Sequence, residues 1–309
     1  MIRTPLPCAK SFTLRMDCRS VLARFKSTVP SEVSFESKAL DLEGWPKTHY
    51  DALTSAHEIL QSSNARTAPL ATAWEVNPID PTSDLAGARS HKIVYLLRHA
   101  EAQHNVFAAD WRGRGRGGSA LRSAECPRDP ELSRRGIGQA IGAARHSDAV
   151  LESRRGAVPQ LFAVNPLRRS MQTALLAFPR FRPGSLRDAT WVAHSDCGEL
   201  DNGHVCDMTS SKYDLERSFP GINYSLYEET GESGNDELSL IDSKVDLLNK
   251  TDRFLSWIKN RDETNIVVSS TSQWLQSFCG FSLQYDPRHA GAEWYGPAEV
   301  KAIAIKFHD

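Results

Sequence analysis

His91-Lys92-Ile93-Val94-Tyr95-Leu96-Leu97-Arg98-His99-Ala100-Glu101-Ala102-Gln103-His104-Asn105 is the stretch around which the chain is organised. Its apolar run, Ile93 to Leu97, is rich in β-formers and stops at an Arg-His pair. That pattern predicts a buried strand with two functional side chains at its carboxyl end, where open α/β sheets bind ligands. Working outward, Leu161 to Asn165 predicts a second strand, stopped by Pro166, and a helix from Arg168 carries Met171, Ala174, Leu175 and Phe178 on one side. Ser133 suits the N-cap of a helix with Ile137, Ala140, Ile141 and Ala144 on one face. Trp191 to His194, Ile266 to Val268 and Val300 to Phe307 read as further strands. Residues 244 to 260 read as an amphipathic helix with Leu247, Leu248, Phe254, Leu255 and Ile258 at helical spacing. Strands alternating with helices predict an α/β protein, three layers α/β/α around a mostly parallel central sheet.

Composition sets the outer bounds. The 309 residues are 40% apolar and 24% charged with a net charge of −1, as in a globular protein with a proper core. Near-neutral charge gives no global case for nucleic acid or a membrane surface as partner, and no apolar run approaches a bilayer-spanning length. The six cysteines form no CxxC pair and read as free thiols. Residues 1–30 hold Arg3, Lys10, Arg15, Arg19, Arg24 and Lys26 against one acid, Asp17. Such a leader reads either as a transit peptide, mitochondrial or for another organelle, or as a disordered basic tail on a cytoplasmic protein. Residues 31–90 form an N-terminal extension with a short helix expected over Asp51 to Leu60, its face set by Ala52, Ala56, Ile59 and Leu60. The main domain is then 91–309, with a loop insertion at about 110–130. There Arg112-Gly113-Arg114-Gly115-Arg116-Gly117-Gly118 predicts a mobile basic loop, either a lid for an anionic substrate, an RNA-touching segment or a solvated insertion. Nucleic acid binding from this segment alone is not expected, and oligomeric state is left open.

The strand ends converge on phosphate chemistry. Arg98 and His99 end one strand; Asn165-Pro166-Leu167-Arg168-Arg169-Ser170-Met171-Gln172-Thr173 ends another and opens a helix. A guanidinium at a helix start adds a planar fork for phosphate oxygens to a site already favoured by backbone amides.

With these residues in hand, the chain resembles the histidine phosphatase superfamily, in its phosphoglycerate-mutase-like branch of plant and fungal type. The family's Arg-His-(Gly/Ala) signature with a later Asn stands as Arg98-His99-Ala100 and Asn105. Its Leu-(Ser/Thr)-x-x-Gly-x-x-Gln motif is Leu132-Ser133-Arg134-Arg135-Gly136-Ile137-Gly138-Gln139, and its Ser-Pro-Leu-x-Arg-Ala-x-Gln-Thr motif is residues 165 to 173, with Asn165 and Ser170 as departures. The resemblance implies a phosphatase acting through a phosphohistidine on His99, with Arg98, Arg169 and Asn105 on the phosphate. It implies a carboxylic acid for the leaving oxygen, which the segment Cys197-Gly198-Glu199-Leu200 before Cys206-Asp207 assigns to Glu199, with Asp201 as fallback. Substrates would be phosphorylated small molecules or phosphoproteins, and no cofactor is implied. His194, Cys197, His204 and Cys206 could also make a structural zinc site, but their spacing matches no zinc pattern and ordinary loop residues are the simpler reading.

One departure matters most. The family's second histidine would fall in Asn265-Ile266-Val267-Val268-Ser269-Ser270-Thr271, where Ser270 stands instead, and the next histidine, His289, lies beyond a predicted helix. Serine is shorter and neutral, with one proton to donate. Ser270 is expected to touch phosphate weakly, so the protein reads as an attenuated phosphatase or as a weak or dead phosphatase-fold protein that binds phosphorylated ligands. Phosphoglycerate mutase activity is the less favoured reading.

Overall fold

A computed structural model describes residues 45–62, 74–78, 91–152, 158–187, 189–199, 203–228, 240–283 and 294–307. The basic leader 1–30, Asp201 and His289 lie outside the described residues. Those described all fall in one compact unit, Leu40–Asp309, so the boundary expected at residue 91 lies inside it.

In chain order the elements are α1 (Trp45–Ser62), β1 (Trp74–Pro78), β2 (His91–Arg98), α2 (Gln103–Gly113), α3 (Arg134–Glu152), β3 (Leu161–Val164), α4 (Arg168–Ala177) and β4 (Thr190–His194). Then come α5 (Lys212–Ser218), β5 (Asn223–Leu226), α6 (Leu240–Lys259), β6 (Asn265–Ser270), α7 (Ser272–Ser277) and β7 (Val300–Phe307). The strands make one sheet in the order β1-β7-β2-β6-β3-β4-β5. From β2 to β5 the neighbours are parallel, and β7 runs antiparallel to both β1 and β2. The expected mostly parallel sheet is therefore present, with β1 and β5 as edge strands that the sequence reading did not single out.

The period of two along each strand builds two cores. Val94, Leu96, Leu161, Ala163, Ile266 and Val268 face one layer, where they meet Leu53 of α1, Leu247 and Phe254 of α6 and Trp274 of α7. Their alternates Tyr95, Leu97, Phe162, Val164 and Val267 face the other, against Ala140 of α3 and Met171 and Ala174 of α4. The three-layer architecture follows directly. Helix α1 begins earlier than expected, and its buried stripe is Leu53, Ala56 and Leu60, whereas Ile59 is 47% exposed. The 3.6-residue turn explains the difference: positions 53, 56 and 60 share one face, and 59 has rotated off it. This helix and β1 make part of the preface a structural piece of the domain.

Parallel register fixes where the site forms. Arg98 pairs with Ser270 across β2 and β6, and Val164 pairs with Ser269 across β3 and β6. The carboxyl ends of three adjacent strands therefore lie level.

Candidate active site

His99 follows β2 directly and is 5% exposed. Its backbone N–H donates to the Ser270 carbonyl at 2.9 Å. Its Nδ1 lies 2.7 Å from the Ala100 carbonyl, and a carbonyl can only accept, so Nδ1 carries the ring proton. The lone pair is then on Nε2, which has no hydrogen-bond partner among the described residues. Burial, followed by the cations of Arg169 and Arg98, holds the His99 pKa well below its ordinary value, while the Ala100 carbonyl opposes the shift. The imidazole is neutral at pH 7, with a free nitrogen.

The loop that aims this ring is held by the two family-like motifs. Gln139 Oε1 accepts from the Glu101 N–H at 2.9 Å, and Ser133 bonds the Glu101 carboxylate at 2.6 Å. The Ala100 N–H donates to Thr173 Oγ1 at 3.0 Å, and Gln172 Oε1 accepts from the Leu132 N–H at 2.9 Å. Gly136 is obligatory for a steric reason: a Cβ there would stand 1.8 Å from the Glu101 carbonyl oxygen. The motif residues Ser133, Gly136, Gln139, Gln172 and Thr173 thus work as scaffold for the turn after His99.

Two guanidiniums flank the imidazole. Arg98 donates through Nη1 to the Tyr295 carbonyl at 2.5 Å and lies 5.9 Å from the Trp294 ring centroid. Burial lowers its pKa to about 10, against the raising influence of Glu199 and Glu299, so it remains a cation. Arg169 is 1% exposed, donating through Nη1 to the Cys206 carbonyl at 2.8 Å and through Nη2 to Asp207 Oδ1 at 2.7 Å. Burial disfavours its charge, but Asp207, with Cys206 and Glu199, holds its pKa above the ordinary value. The Nε atoms of both arginines are buried without a hydrogen-bond partner. Buried donors are normally satisfied, so two orphans beside a neutral imidazole mark a place for an anion. The neighbouring Arg168, by contrast, spends its guanidinium on Ser210 and Ser218.

The remaining expected residues fall into place unevenly. Glu199 Oε2 lies 4.0 Å from Arg169 Nη2, which brings the candidate acid to the same centre. Asn105 accepts from the Ala102 N–H through Oδ1 at 2.9 Å, closing the first turn of α2. Ser270 departs from expectation. It is fully buried, and its hydroxyl donates to the Cys197 carbonyl at 2.7 Å, so its one proton is already committed and is not offered to phosphate. The turn after β4 places that carbonyl beside the end of β6, which sequence could not reveal.

The set His194, Cys197, His204 and Cys206 is not assembled. His194 packs against Trp257, ring centroids 4.6 Å apart, and its Nδ1 accepts from the Asp196 N–H. The basic loop is partly neutralised: Arg114 pairs with Asp110 and Arg116 with Glu125, each at 2.9 Å, and Arg116 lies over Trp111. One group was missed. His104 is buried with its ring centroid 5.9 Å from that of His99, and neither of its nitrogens has a hydrogen-bond partner among the described residues. Burial, then Arg169, lowers its pKa to about 3. The available signal was its place at the start of α2, in the same stretch of sequence as His99.

No family model matches the chain. It is 27% identical over 209 residues to a phosphoglycerate mutase-like protein of Arabidopsis thaliana, across 60% of this chain and 72% of that protein. Phosphoglycerate mutase-like protein 1 of the same plant is 26% identical over 209 residues, across 60% and 69%. Among solved structures, the ecdysone phosphate phosphatase of Bombix mori in complex with tungstate is 14% identical with a TM-score of 0.46, over 68% of this chain and 88% of that one. The phosphoserine phosphatase of Entamoeba histolytica in complex with 3-phosphoglyceric acid is 19% identical with a TM-score of 0.39, over 68% and 89%. The motifs at the strand ends resemble those of the histidine phosphatase superfamily, and the curated proteins to which the chain is similar are phosphoglycerate mutase-like.

Proposed function

We propose that the protein is a phosphomonoester hydrolase that works through a phosphohistidine on His99 and is attenuated by Ser270. The observation that carries this reading is the neutral His99 imidazole, Nδ1 held by Ala100 and Nε2 free, between two arginines with orphaned Nε donors. His99 Nε2 attacks phosphorus as the ester P–O bond breaks, and Glu199 gives a proton to the leaving oxygen. Water then attacks the phosphohistidine, Glu199 takes its proton, and cleavage of the P–N bond releases inorganic phosphate. Arg98 and Arg169, already charged and already oriented, stabilise the equatorial oxygens without reorganising. Asn105 donates an amide N–H to the same group. Substrates of this site are phosphorylated small molecules or phosphoproteins.

The committed Ser270 hydroxyl also favours a second reading, a phosphatase fold that binds phosphorylated ligands with little or no turnover. Loss of one preorganised donor typically costs about 10²–10³ in rate. The experiment compares wild type, His99→Ala and Ser270→His on p-nitrophenyl phosphate and a panel of sugar phosphates. Turnover abolished by His99→Ala and raised by Ser270→His supports the hydrolase. Calorimetric binding of phosphorylated ligands with no turnover by any variant supports the binding protein instead.

A further inference from the structure

We propose that His104 gives the phosphoryl group the ring hydrogen bond that Ser270 does not, as a further phosphate-contacting residue of the candidate active site. This rests on the reading above only in taking the space between His99, Arg98 and Arg169 as the place of the phosphoryl group. It applies to a hydrolase and to a binding protein alike. The ring is held in position by its own turn. Asn105 Oδ1 accepts from the Ala102 N–H at 2.9 Å, and the Gln103 N–H donates to the Glu131 carbonyl at 3.0 Å. These bonds pin the first turn of α2, which carries His104, and Ala102 also bridges to Leu132. The side chain is 6% exposed, with its ring centroid 5.9 Å from that of His99 and the two ring planes 59° apart.

The fold makes no use of this ring's polar atoms. A neutral imidazole has one N–H to donate and one lone pair to accept. Neither nitrogen of His104 has a hydrogen-bond partner among the described residues; Nδ1 is sealed from solvent, whereas Nε2 is not. The buried histidines away from the site behave differently. His194 accepts from the Asp196 N–H, and His49 lies 2.6 Å from Lys244 Nζ and 3.3 Å from the Gln273 carbonyl. Buried polar groups are normally satisfied, so a ring with both nitrogens unpartnered beside the nucleophile is kept for a ligand. Nε2 is the nitrogen a ligand can reach, and it meets phosphate with its proton in place.

The separation of the rings suits one phosphoryl oxygen between them. In-line attack puts phosphorus about 3–3.5 Å from His99 Nε2, with the equatorial oxygens lying across that line. A donor about 2.7–3.2 Å from such an oxygen then stands roughly 5 Å from His99 Nε2. Ring centroids 5.9 Å apart accommodate that distance. The Ser270 hydroxyl, by contrast, spends its proton on the Cys197 carbonyl at 2.7 Å. Arg98 and Arg169 thus supply charge, and His104 supplies a neutral, directional N–H.

The test is calorimetric titration of the full chain with orthovanadate and with inorganic phosphate, for wild type, His104→Ala, His104→Gln and His104→Asn. The Gln amide nitrogen stands in for histidine Nε2 and the Asn amide nitrogen for Nδ1. His104→Ala should weaken anion binding by about 10- to 100-fold, the share of one hydrogen bond to a charged group. His104→Gln should restore most of that affinity, and His104→Asn should not, a distinction that packing alone does not produce. In the wild type, the His104 ring nitrogen resonances should shift on addition of inorganic phosphate, a measurement that needs no variant to fold. No anion binding by the wild type, equal losses in His104→Ala and His104→Gln, or His104 resonances indifferent to phosphate overturns the proposal. Turnover of p-nitrophenyl phosphate by the same proteins separates the two readings. Affinity that depends on His104 without turnover by any protein removes the hydrolase and keeps the contact. Turnover with affinity unchanged in His104→Ala removes the contact and keeps the hydrolase.

Discussion

Gly136→Ala inverts an ordinary rule and so tests the scaffold beneath His99. In a helix interior, replacing Gly with Ala normally stabilises by about 0.8–1.0 kcal/mol. Gly138, one turn position on in the same helix, has nothing within 4 Å of a built Cβ, and Gly138→Ala should show that gain. At Gly136 the added Cβ meets the Glu101 carbonyl oxygen at 1.8 Å, so α3 and the Glu101 backbone must part by more than an ångström. Overpacking of this kind typically costs about 1–3 kcal/mol, and the rigid backbone partner places it at the upper end. Subtracting the helix-propensity gain leaves a net loss of about 2 kcal/mol. At about 2–4 °C per kcal/mol, thermal unfolding should fall by about 4–8 °C for Gly136→Ala and rise by about 2–4 °C for Gly138→Ala. The same shift moves the Ala100–Glu101 segment whose carbonyl orients His99, and a displacement of about 1 Å commonly costs about 10² in rate. The assay pairs thermal melts with p-nitrophenyl phosphate turnover for both variants. Two melts that rise together would refute the close approach and, with it, the role assigned to the Leu132–Gln139 motif.

Three further outcomes follow from the same geometry. Because burial and two arginines keep His99 neutral well below pH 6.5, kcat/KM should show no acid limb centred at 6.5; a limb there that disappears with no other group changed counts against His99 as the buried nucleophile. His49 is buried, its Nδ1 2.6 Å from Lys244 Nζ, and burial, then Lys244, lowers its pKa to about 3. A histidine depressed in the folded state leaves the unfolded state binding more protons below pH 6.5, so stability falls as pH drops from 6.5 towards 3. The shift amounts to about 2 kcal/mol at pH 5, and urea unfolding of His49→Gln at pH 7 and pH 5 should lose about that much of the wild-type pH dependence; equal dependence in both proteins rejects the assignment. Trp274 is fully buried, stacked on Phe278 at 4.9 Å, and its indole N–H donates to the Asp196 carbonyl at 2.6 Å. Trp274→Ala should cost about 3–5 kcal/mol in the same denaturation experiment, and a loss under 1 kcal/mol would show that α7 is not packed as described.

The pattern of legibility follows the range of the forces involved. Strands β2, β3, β4, β6 and β7 and helices α3, α4 and α6 were readable because buried strands are continuously apolar and helices repeat every 3.6 residues, both local properties. β1 and β5 escaped because edge strands are short and half-polar, and β1 finds its partner β7 more than 200 residues later. Of the stripe expected on α1, Ala56 and Leu60 are buried, while Ile59 is exposed and Leu53 is buried in place of Ala52, since an apolar residue reads the same whichever way it points.

Sequence by itself determined the chemistry at the strand ends: which residues end them, that Arg98, His99 and Arg169 belong together, and that Ser270 occupies the expected place of a second histidine. Those facts are carried by residue identity and short spacing. Tertiary structure decided what each group is free to do. The Ala100 carbonyl selects the His99 tautomer, and the Cys197 carbonyl takes the only proton of Ser270. His104 is brought beside His99, ring centroids 5.9 Å apart. Hydrogen-bond partners and burial arise between segments tens of residues apart, so they exist only once the sheet has set its register.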